Sequence, residues 1–167
     1  FINSLKLTAV NCMDIHSPVA EALFDNLEHD TLSTCFAALT THFRDPDQVV
    51  LVSPDAGANK KVLGIAKDYG YPNVVRADKT RDVLTGKITG TAVYSEHVGS
   101  KDFLIVDDLL DAGGTFIPLA AELKKLTTGK VFLYVTHGLF TAGIDKFHGV
   151  FDKIYVSNNM MKDKFSD

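Results

Sequence analysis

Apolar residues along this chain form short runs, and the segments between the runs carry apolar residues at helical spacing. The runs predict strands at Leu5–Met13, Val49–Ser53, Val74–Ala77, Phe103–Asp107, Val131–Thr136 and Ile154–Ser157. The helical segments are Val19–Leu27, Leu32–Phe43, Asn59–Tyr69 and Thr115–Leu126. Strands that alternate with helices predict an α/β fold, namely a doubly wound, mostly parallel sheet with helices on both faces.

One segment, Asp78–Gly99, departs from this alternation. It is polar, contains Gly86 and Gly90, and has weak apolar periodicity. Long loops inside compact domains are usually functional or disordered. The sequence therefore predicts a long, flexible loop or an extended flap here.

The most informative stretch is FLIVDDLLDAGGTF, residues 103–116. A buried strand is followed by two carboxylates, Asp107 and Asp108, and then by a glycine turn that leads into an amphipathic helix. Glycines allow the backbone to approach an anion closely, and the free N–H groups of a helix N-terminus favour negative charge. The carboxylates can accept hydrogen bonds from sugar hydroxyls. This combination predicts a site for a sugar phosphate.

Two other strand-like runs end in polar residues of similar character. Val49–Ser53 leads into SPDAGANK, a second acidic turn that contains glycine, and Leu5–Met13 leads into DIHS. Ligands of open parallel sheets bind beyond the carboxyl ends of the strands. We therefore expect these turns to lie close together.

The blocks DIHS, VSPDAG, VDDLLDAGGT and VTHGLF occur in this order and resemble those of ribose-phosphate diphosphokinases, also called phosphoribosyl pyrophosphate (PRPP) synthetases. The resemblance extends over nearly all 167 residues and matches the later half of that enzyme. It implies a phosphoribosyltransferase-like fold. It also implies transfer of diphosphate from ATP to the anomeric hydroxyl of ribose 5-phosphate, which gives PRPP and AMP.

The resemblance also implies roles for individual residues. The ribose hydroxyls would be held by Asp107 and Asp108, and the 5-phosphate by the loop of Asp111, Ala112, Gly113, Gly114 and Thr115. The ATP phosphates and their Mg²⁺ ion would be held by His16 and Asp55, with Gly57 lining the pyrophosphate region. The catalytic pair would be Lys79 and Arg81 on the flap. The chain departs from the family pattern at Ala58 and Ala112, which replace a common glycine and a common threonine.

The length, net charge and cysteine content of the chain limit the classes of protein to which it can belong. The length predicts a single domain over residues 1–167, and the net charge of −4 gives no footprint for nucleic acid. No apolar run is long enough for a membrane span, and Cys12 and Cys35 are typical of free thiols in a reducing compartment, which predicts a cytoplasmic protein. The chain begins at Phe1 without a methionine, so we expect a fragment of a two-domain parent. The resemblance implies that the parent is a homo-oligomer, dimeric or hexameric.

Two alternatives to the diphosphokinase stay open. A nucleobase phosphoribosyltransferase would use the same phosphate loop, but the DIHS and SPDAG blocks would lose their purpose. A non-catalytic regulatory homologue associated with PRPP synthetase would need no transfer residues, so the presence of Lys79, Arg81, His16 and Asp55 argues against it.

Overall fold

The structure is a computed structural model that describes residues 1–81 and 88–161; for residues 79–81, 88 and 89 only the backbone is described. Its centre is a sheet with the strand order β5-β4-β3-β6-β7-β8. All neighbouring pairs are parallel except β4 and β5, which are antiparallel. The strands are β3 (Val49–Ser53), β4 (Asn73–Arg81), β5 (Ile88–Val93), β6 (Asp102–Leu110), β7 (Val131–Gly138) and β8 (Lys153–Asn159).

A second, two-stranded sheet pairs β1 (Val10–Met13) with β2 (Leu27–Asp30) in parallel. The α-helices are α1 (Pro18–Leu23), α2 (Leu32–Phe36), α3 (Asn59–Tyr69) and α4 (Phe116–Leu123). Short 3₁₀ helices span Ile2–Leu5, Ala37–Thr41, Pro46–Gln48 and Ile144–Phe147. None of the helices in the described part of the chain is long and apolar enough to span a membrane.

The core lies on both faces of the central sheet, because β6 is buried from both sides. Phe103 and Ile105 belong to the hydrophobic cluster that contains the buried face of α4. Leu104 and Val106 belong to the opposite cluster, which contains the buried residues of α2 and α3. This confirms the predicted mostly parallel sheet with helices on both faces.

The structure corrects several predicted element boundaries. The predicted strand Leu5–Met13 is a strand only from Val10, because Ile2–Leu5 form a 3₁₀ helix. The predicted helix Val19–Leu27 ends at Leu23, where Phe24 adopts an extended backbone before β2. The sequence did not predict β2, because its four residues, LEHD, carry two charged side chains and a single aliphatic one.

The segment Asp78–Gly99, predicted as a long, flexible loop or an extended flap, contains parts of two strands. Its first residues continue β4 as far as Arg81, and β5 pairs back on them from Val93 to Ile88. The two strands form an antiparallel hairpin, and the connection at residues 82–87 lies outside the described residues. The predicted end of the strand at Asp107 was also wrong, because β6 continues to Leu110 and carries both acidic residues within it.

Candidate functional site

The strand order creates a crevice between β3 and β6. The chain leaves β3 through α3 to reach β4 on one side, whereas β6 pairs with the other side of β3. Such a switch point opens a space beyond the carboxyl ends of the two central strands. A cleft of about 850 Å³ lies there, and it brings together the predicted residues His16, Asp55, Gly57, Asp107 and Asp108. The residues that complete its lining are Ser17, Pro18, Ala56, Ala58, Lys61 and Asp78.

Asp55 is held by the turn that joins β3 to α3. Its Oδ1 accepts hydrogen bonds from the backbone N–H groups of Gly57 (3.0 Å) and Ala58 (3.1 Å). The Ser53 hydroxyl donates to the Asp55 carbonyl oxygen at 2.7 Å. A Cβ on Gly57 would lie 3.2 Å from Asp55 Oδ1, so a larger residue would crowd the carboxylate. The turn thus fixes Asp55 at the mouth of the cleft.

Asp107 and Asp108 are adjacent in β6, so their side chains leave opposite faces of the strand. Asp107 Oδ1 accepts a hydrogen bond from the Asp108 N–H group at 2.9 Å. Asp108 is only 6% exposed, and its Oδ2 lies 2.8 Å from Nδ1 of His16 and 3.0 Å from Nζ of Lys61. Asp108 therefore has two partners inside the cleft before any ligand arrives.

Sequence reasoning missed the roles of two charged residues at the centre of this site, Lys61 and Asp14. Lys61, in the first turn of α3, forms ion pairs with both Asp14 (2.9 Å) and Asp108 (3.0 Å). Burial alone would lower the pKa of the Lys61 ammonium, but hydrogen bonds and charges from Asp14 and Asp108 outweigh burial and raise the pKa above its usual value. The one sequence signal for this ion pair was the position of Asp14 directly after a strand. Lys61 and Asp14 lie 47 positions apart, and no local sequence pattern predicts a contact over that separation.

The predicted phosphate turn follows β6 directly but is not part of the cleft lining. It is held from the β7–β8 connection, because the Thr141 hydroxyl donates to the Asp111 carboxylate. Gly113 is buried with φ +80°, and a Cβ there would lie 2.4 Å from Cε1 of Phe147. Asp111 and Gly114 are exposed, and Ala112 and Thr115 are half-buried.

The backbone N–H groups of this turn have no acceptor within the described part of the chain. Among the described residues, none of the N–H groups of Ala112, Gly113, Gly114 or Thr115 donates a hydrogen bond. Thr115 precedes α4 but makes no capping hydrogen bond with its side chain. Unpaired N–H groups at a helix N-terminus, with the helix dipole behind them, favour an anion.

The flap residues are located only by their backbone. Lys79 pairs with Thr91 and Arg81 with Ile88, on the part of β4 that continues beyond Asp78. The side chains of Lys79 and Arg81 lie outside the described residues. Asp78 itself lines the cleft, and both of its carboxylate oxygens accept hydrogen bonds from Arg76.

The donor set of the cleft suits Mg²⁺ with water. The lining contains four carboxylates, whereas Lys61 is its one cationic side chain among the described residues. No described group of three or more His, Cys, Asp or Glu side chains is spaced to enclose a metal. Mg²⁺ usually keeps several waters and uses only one or two carboxylates together with substrate phosphates. The Asp55 carboxylate is a ligand of the type that Mg²⁺ prefers, and His16 lines the same cleft.

No protein-family model matches the chain, but curated relatives do. It is 33% identical over 172 residues to a ribose-phosphate pyrophosphokinase from Mycoplasma pneumoniae and 27% identical over 166 residues to one from Vibrio vulnificus. Both alignments cover 98% of this chain, and they cover 51% and 52% of the relatives. The chain thus spans about half the length of the curated relatives it matches.

Solved structures extend the comparison to the fold. Phosphoribosylpyrophosphate synthetase from Mycobacterium smegmatis matches 92% of this chain and 50% of its own, with a TM-score of 0.76 at 22% identity. Adenine phosphoribosyltransferase from Thermoanaerobacter pseudethanolicus matches 77% of this chain with a TM-score of 0.58 at 17% identity. The fold is therefore phosphoribosyltransferase-like, as predicted. The predicted resemblance is confirmed: this chain is similar over nearly its whole length to ribose-phosphate pyrophosphokinases and fits the C-terminal half of that enzyme.

Proposed function

We propose that this chain is the half of a ribose-phosphate diphosphokinase that binds ribose 5-phosphate. The parent enzyme would transfer the diphosphate group of ATP to the anomeric hydroxyl of the sugar and release AMP. The observation that carries this proposal is the turn at residues 111–115, which has N–H groups without an acceptor in the described part of the chain. This turn directly follows β6, the strand that brings Asp107 and Asp108 to the switch-point cleft. The names of the curated relatives support the same reaction.

Each part of the site has a role in this proposal. The N–H groups of the turn bind the 5-phosphate, while Asp107 and Asp108 accept hydrogen bonds from the ribose hydroxyls. The DIHS and SPDAG turns would then face the phosphates of ATP, where His16 and Asp55 would hold Mg²⁺ and Gly57 would allow close approach. The Mg²⁺ ion would supply charge neutralisation to those phosphates. In this arrangement the anomeric hydroxyl oxygen attacks the β-phosphorus and gives up its proton to water, and the bond between that phosphorus and the AMP oxygen breaks, so that AMP leaves.

Lys79 and Arg81 are the proposed catalytic pair. Diphosphoryl transfer depends mainly on positioning and on neutralising negative charge that spreads in the transition state. Lysine and arginine are cationic residues of the kind that suits this task, and the backbone of β4 continues to both of them from the cleft residue Asp78. Assembly of the parent as a homo-oligomer and its place in the cytoplasm stay predictions.

Calorimetry of this chain with ribose 5-phosphate tests the sugar site, because binding does not need ATP. We expect wild-type binding and weaker binding by Asp107→Asn, which removes an acceptor charge. Unchanged affinity in Asp107→Asn would remove that residue from the ribose site. Absence of binding by the wild-type chain, together with capture of a nucleobase in the presence of PRPP, would favour a nucleobase phosphoribosyltransferase instead.

The complete parent enzyme tests the transfer step through AMP release from ATP and ribose 5-phosphate. Lys79→Ala and Arg81→Ala should leave affinity for ribose 5-phosphate nearly intact and lower turnover by about two or more orders of magnitude, the pattern of groups that act in the transition state. Equal losses of affinity and turnover would refute that role. Wild-type binding of the sugar without any AMP release would favour a non-catalytic regulatory homologue.

A further inference from the structure

Lys61 joins three separate elements at the floor of the cleft. Its Nζ donates to Asp14 Oδ1 at 2.9 Å, to the Ile15 carbonyl oxygen at 3.2 Å and to Asp108 Oδ2 at 3.0 Å. An ammonium group has three N–H donors, so each of them has an acceptor. One side chain of α3 thus ties the loop after β1 to β6 near its carboxyl end.

Asp14, the first partner of Lys61, sets the direction of the loop that carries His16. It is 3% exposed and adopts φ +43°, a left-handed backbone that few residues other than glycine tolerate. Both of its carboxylate oxygens are used, since Oδ1 pairs with Lys61 and Oδ2 accepts a hydrogen bond from the Thr136 hydroxyl at 2.6 Å. Surrounding contacts of this kind are what allow an unfavourable backbone to persist.

Asp108, the second partner, positions His16 itself. The His16 side chain is 85% exposed, and its one polar contact among the described residues is the 2.8 Å approach of Nδ1 to Asp108 Oδ2. The same Oδ2 accepts from Lys61, so Lys61 fixes the oxygen to which His16 binds. Removing Lys61 would release the loop at Asp14 and the anchor of His16 together.

We propose that Lys61 is a positioning residue, which locks the loop at residues 14–17 against β6 and holds Asp108 and His16 in the geometry that receives ligand. The inference rests on the proposed function and deepens it. Buried ion pairs are weak evidence for a role in stability alone, because desolvation offsets their attraction. Groups that orient a binding side chain, by contrast, typically affect affinity strongly.

The chain provides a matched control in Lys60. It is the neighbour of Lys61 in α3 and makes no hydrogen bond or ion pair within the described residues. Lys60→Met and Lys61→Met therefore remove the same charge from the same helical turn. Lys61→Arg keeps the positive charge and tests whether it restores the affinity that Lys61→Met loses.

The first measurement is calorimetry with ribose 5-phosphate and with magnesium–ATP, well below the unfolding midpoint of every variant. We expect Lys61→Met to weaken binding by about tenfold or more, Lys61→Arg to restore most of it, and Lys60→Met to leave it unchanged. Wild-type affinity in a folded Lys61→Met would overturn the proposal. If that variant does not fold, Lys61→Gln takes its place, because a side-chain amide has only two N–H donors and no charge with which to hold the three acceptors; wild-type affinity there would also overturn the proposal.

The second measurement does not depend on the ligand. The Ile15 N–H group donates to Nε2 of His29 at 3.0 Å, so hydrogen exchange at that amide reports the order of the loop. After correction for global stability, exchange should be about tenfold faster in Lys61→Met than in Lys60→Met. Equal exchange rates would overturn the positioning role. The wild-type chain could bind neither ligand while Lys61→Met still exchanges faster than Lys60→Met. That result would support Lys61 as the residue that locks the loop and would refute the proposed function.

Discussion

At the scale of single residues, the two glycines of the phosphate turn have different physical requirements. Gly113 adopts φ +80° and is packed so closely against Phe147 that a Cβ would lie 2.4 Å from its ring. Gly114, its neighbour, has no atom within 4 Å of the position a Cβ would take. The two residues form one glycine pair in the sequence, but only Gly113 is required by the backbone and the packing.

Alanine substitutions separate these two glycines. Gly113→Ala should lower the free energy of unfolding by about 2–4 kcal/mol, because it combines a left-handed alanine with a clash against Phe147. Gly114→Ala should change it by less than about 1 kcal/mol, since its backbone is ordinary and the space is open. Urea unfolding of the two variants measures the difference. Equal losses would show that the turn does not depend on the contact with Phe147.

At the scale of elements, the sequence predicted those whose signal is local and missed those that depend on tertiary context. The bounds of β3 (Val49–Ser53) and α3 (Asn59–Tyr69) were predicted correctly, because a continuous apolar run and a clear helical period mark them. The short strand β2 and the hairpin strand β5 were missed. Most of their residues are polar or small, and they become strands through pairing with β1 and β4.

The helix α3 carries a second pair of glycines with opposite expected effects. Gly64 lies in its interior, where a Cβ would have open space around it, whereas Gly70 ends the helix at φ +73°. Gly64→Ala should raise the free energy of unfolding by about 0.5–1 kcal/mol, because glycine is a poor helix former. Gly70→Ala should lower it by about 1–2 kcal/mol, because alanine is strained in a left-handed cap. Thermal unfolding at neutral pH measures both; a stabilising Gly70→Ala would contradict the cap.

At the scale of the whole molecule, the sequence could predict which residues come together at the site, but not which of their side chains form hydrogen bonds and ion pairs with one another. Parallel strands place their carboxyl ends at one edge of a sheet, so Asp55 after β3 and Asp108 in β6 were expected to converge, and they line one cleft. His16 lines the same cleft although β1, the strand before it, belongs to the separate two-stranded sheet. The roles of Lys61 and Thr136 depend on distances between side chains of different elements. No spacing along the chain encodes those distances.

Five buried or partly buried groups also make the folded molecule sensitive to alkaline pH. The pKa is raised above its usual value for Cys35, Lys61, Tyr71, Tyr134 and Tyr155. Each group binds its proton more tightly in the folded than in the unfolded chain. Their contribution to stability is therefore complete below the unfolded pKa values and is lost as the pH rises through the folded ones. Stability should fall as the pH rises through about 9, where the unfolded cysteine loses its proton.

Tyr134 should account for a large part of that loss. It is 2% exposed, and burial raises its pKa from 10.0 to about 12, although a hydrogen bond with Ser157 partly opposes the shift. Because the pKa rises from 10.0 to about 12 on folding, ionisation of Tyr134 should lower the free energy of unfolding by about 2–3 kcal/mol between pH 10 and pH 12. Tyr134→Phe should therefore flatten the decline by about 1 kcal/mol per pH unit in that window, while its difference from wild type stays constant between pH 7 and 8.5. Parallel curves for the two proteins from pH 7 to pH 12 would mean that the Tyr134 hydroxyl ionises as easily in the folded chain as in the unfolded one, and that other groups cause the alkaline loss.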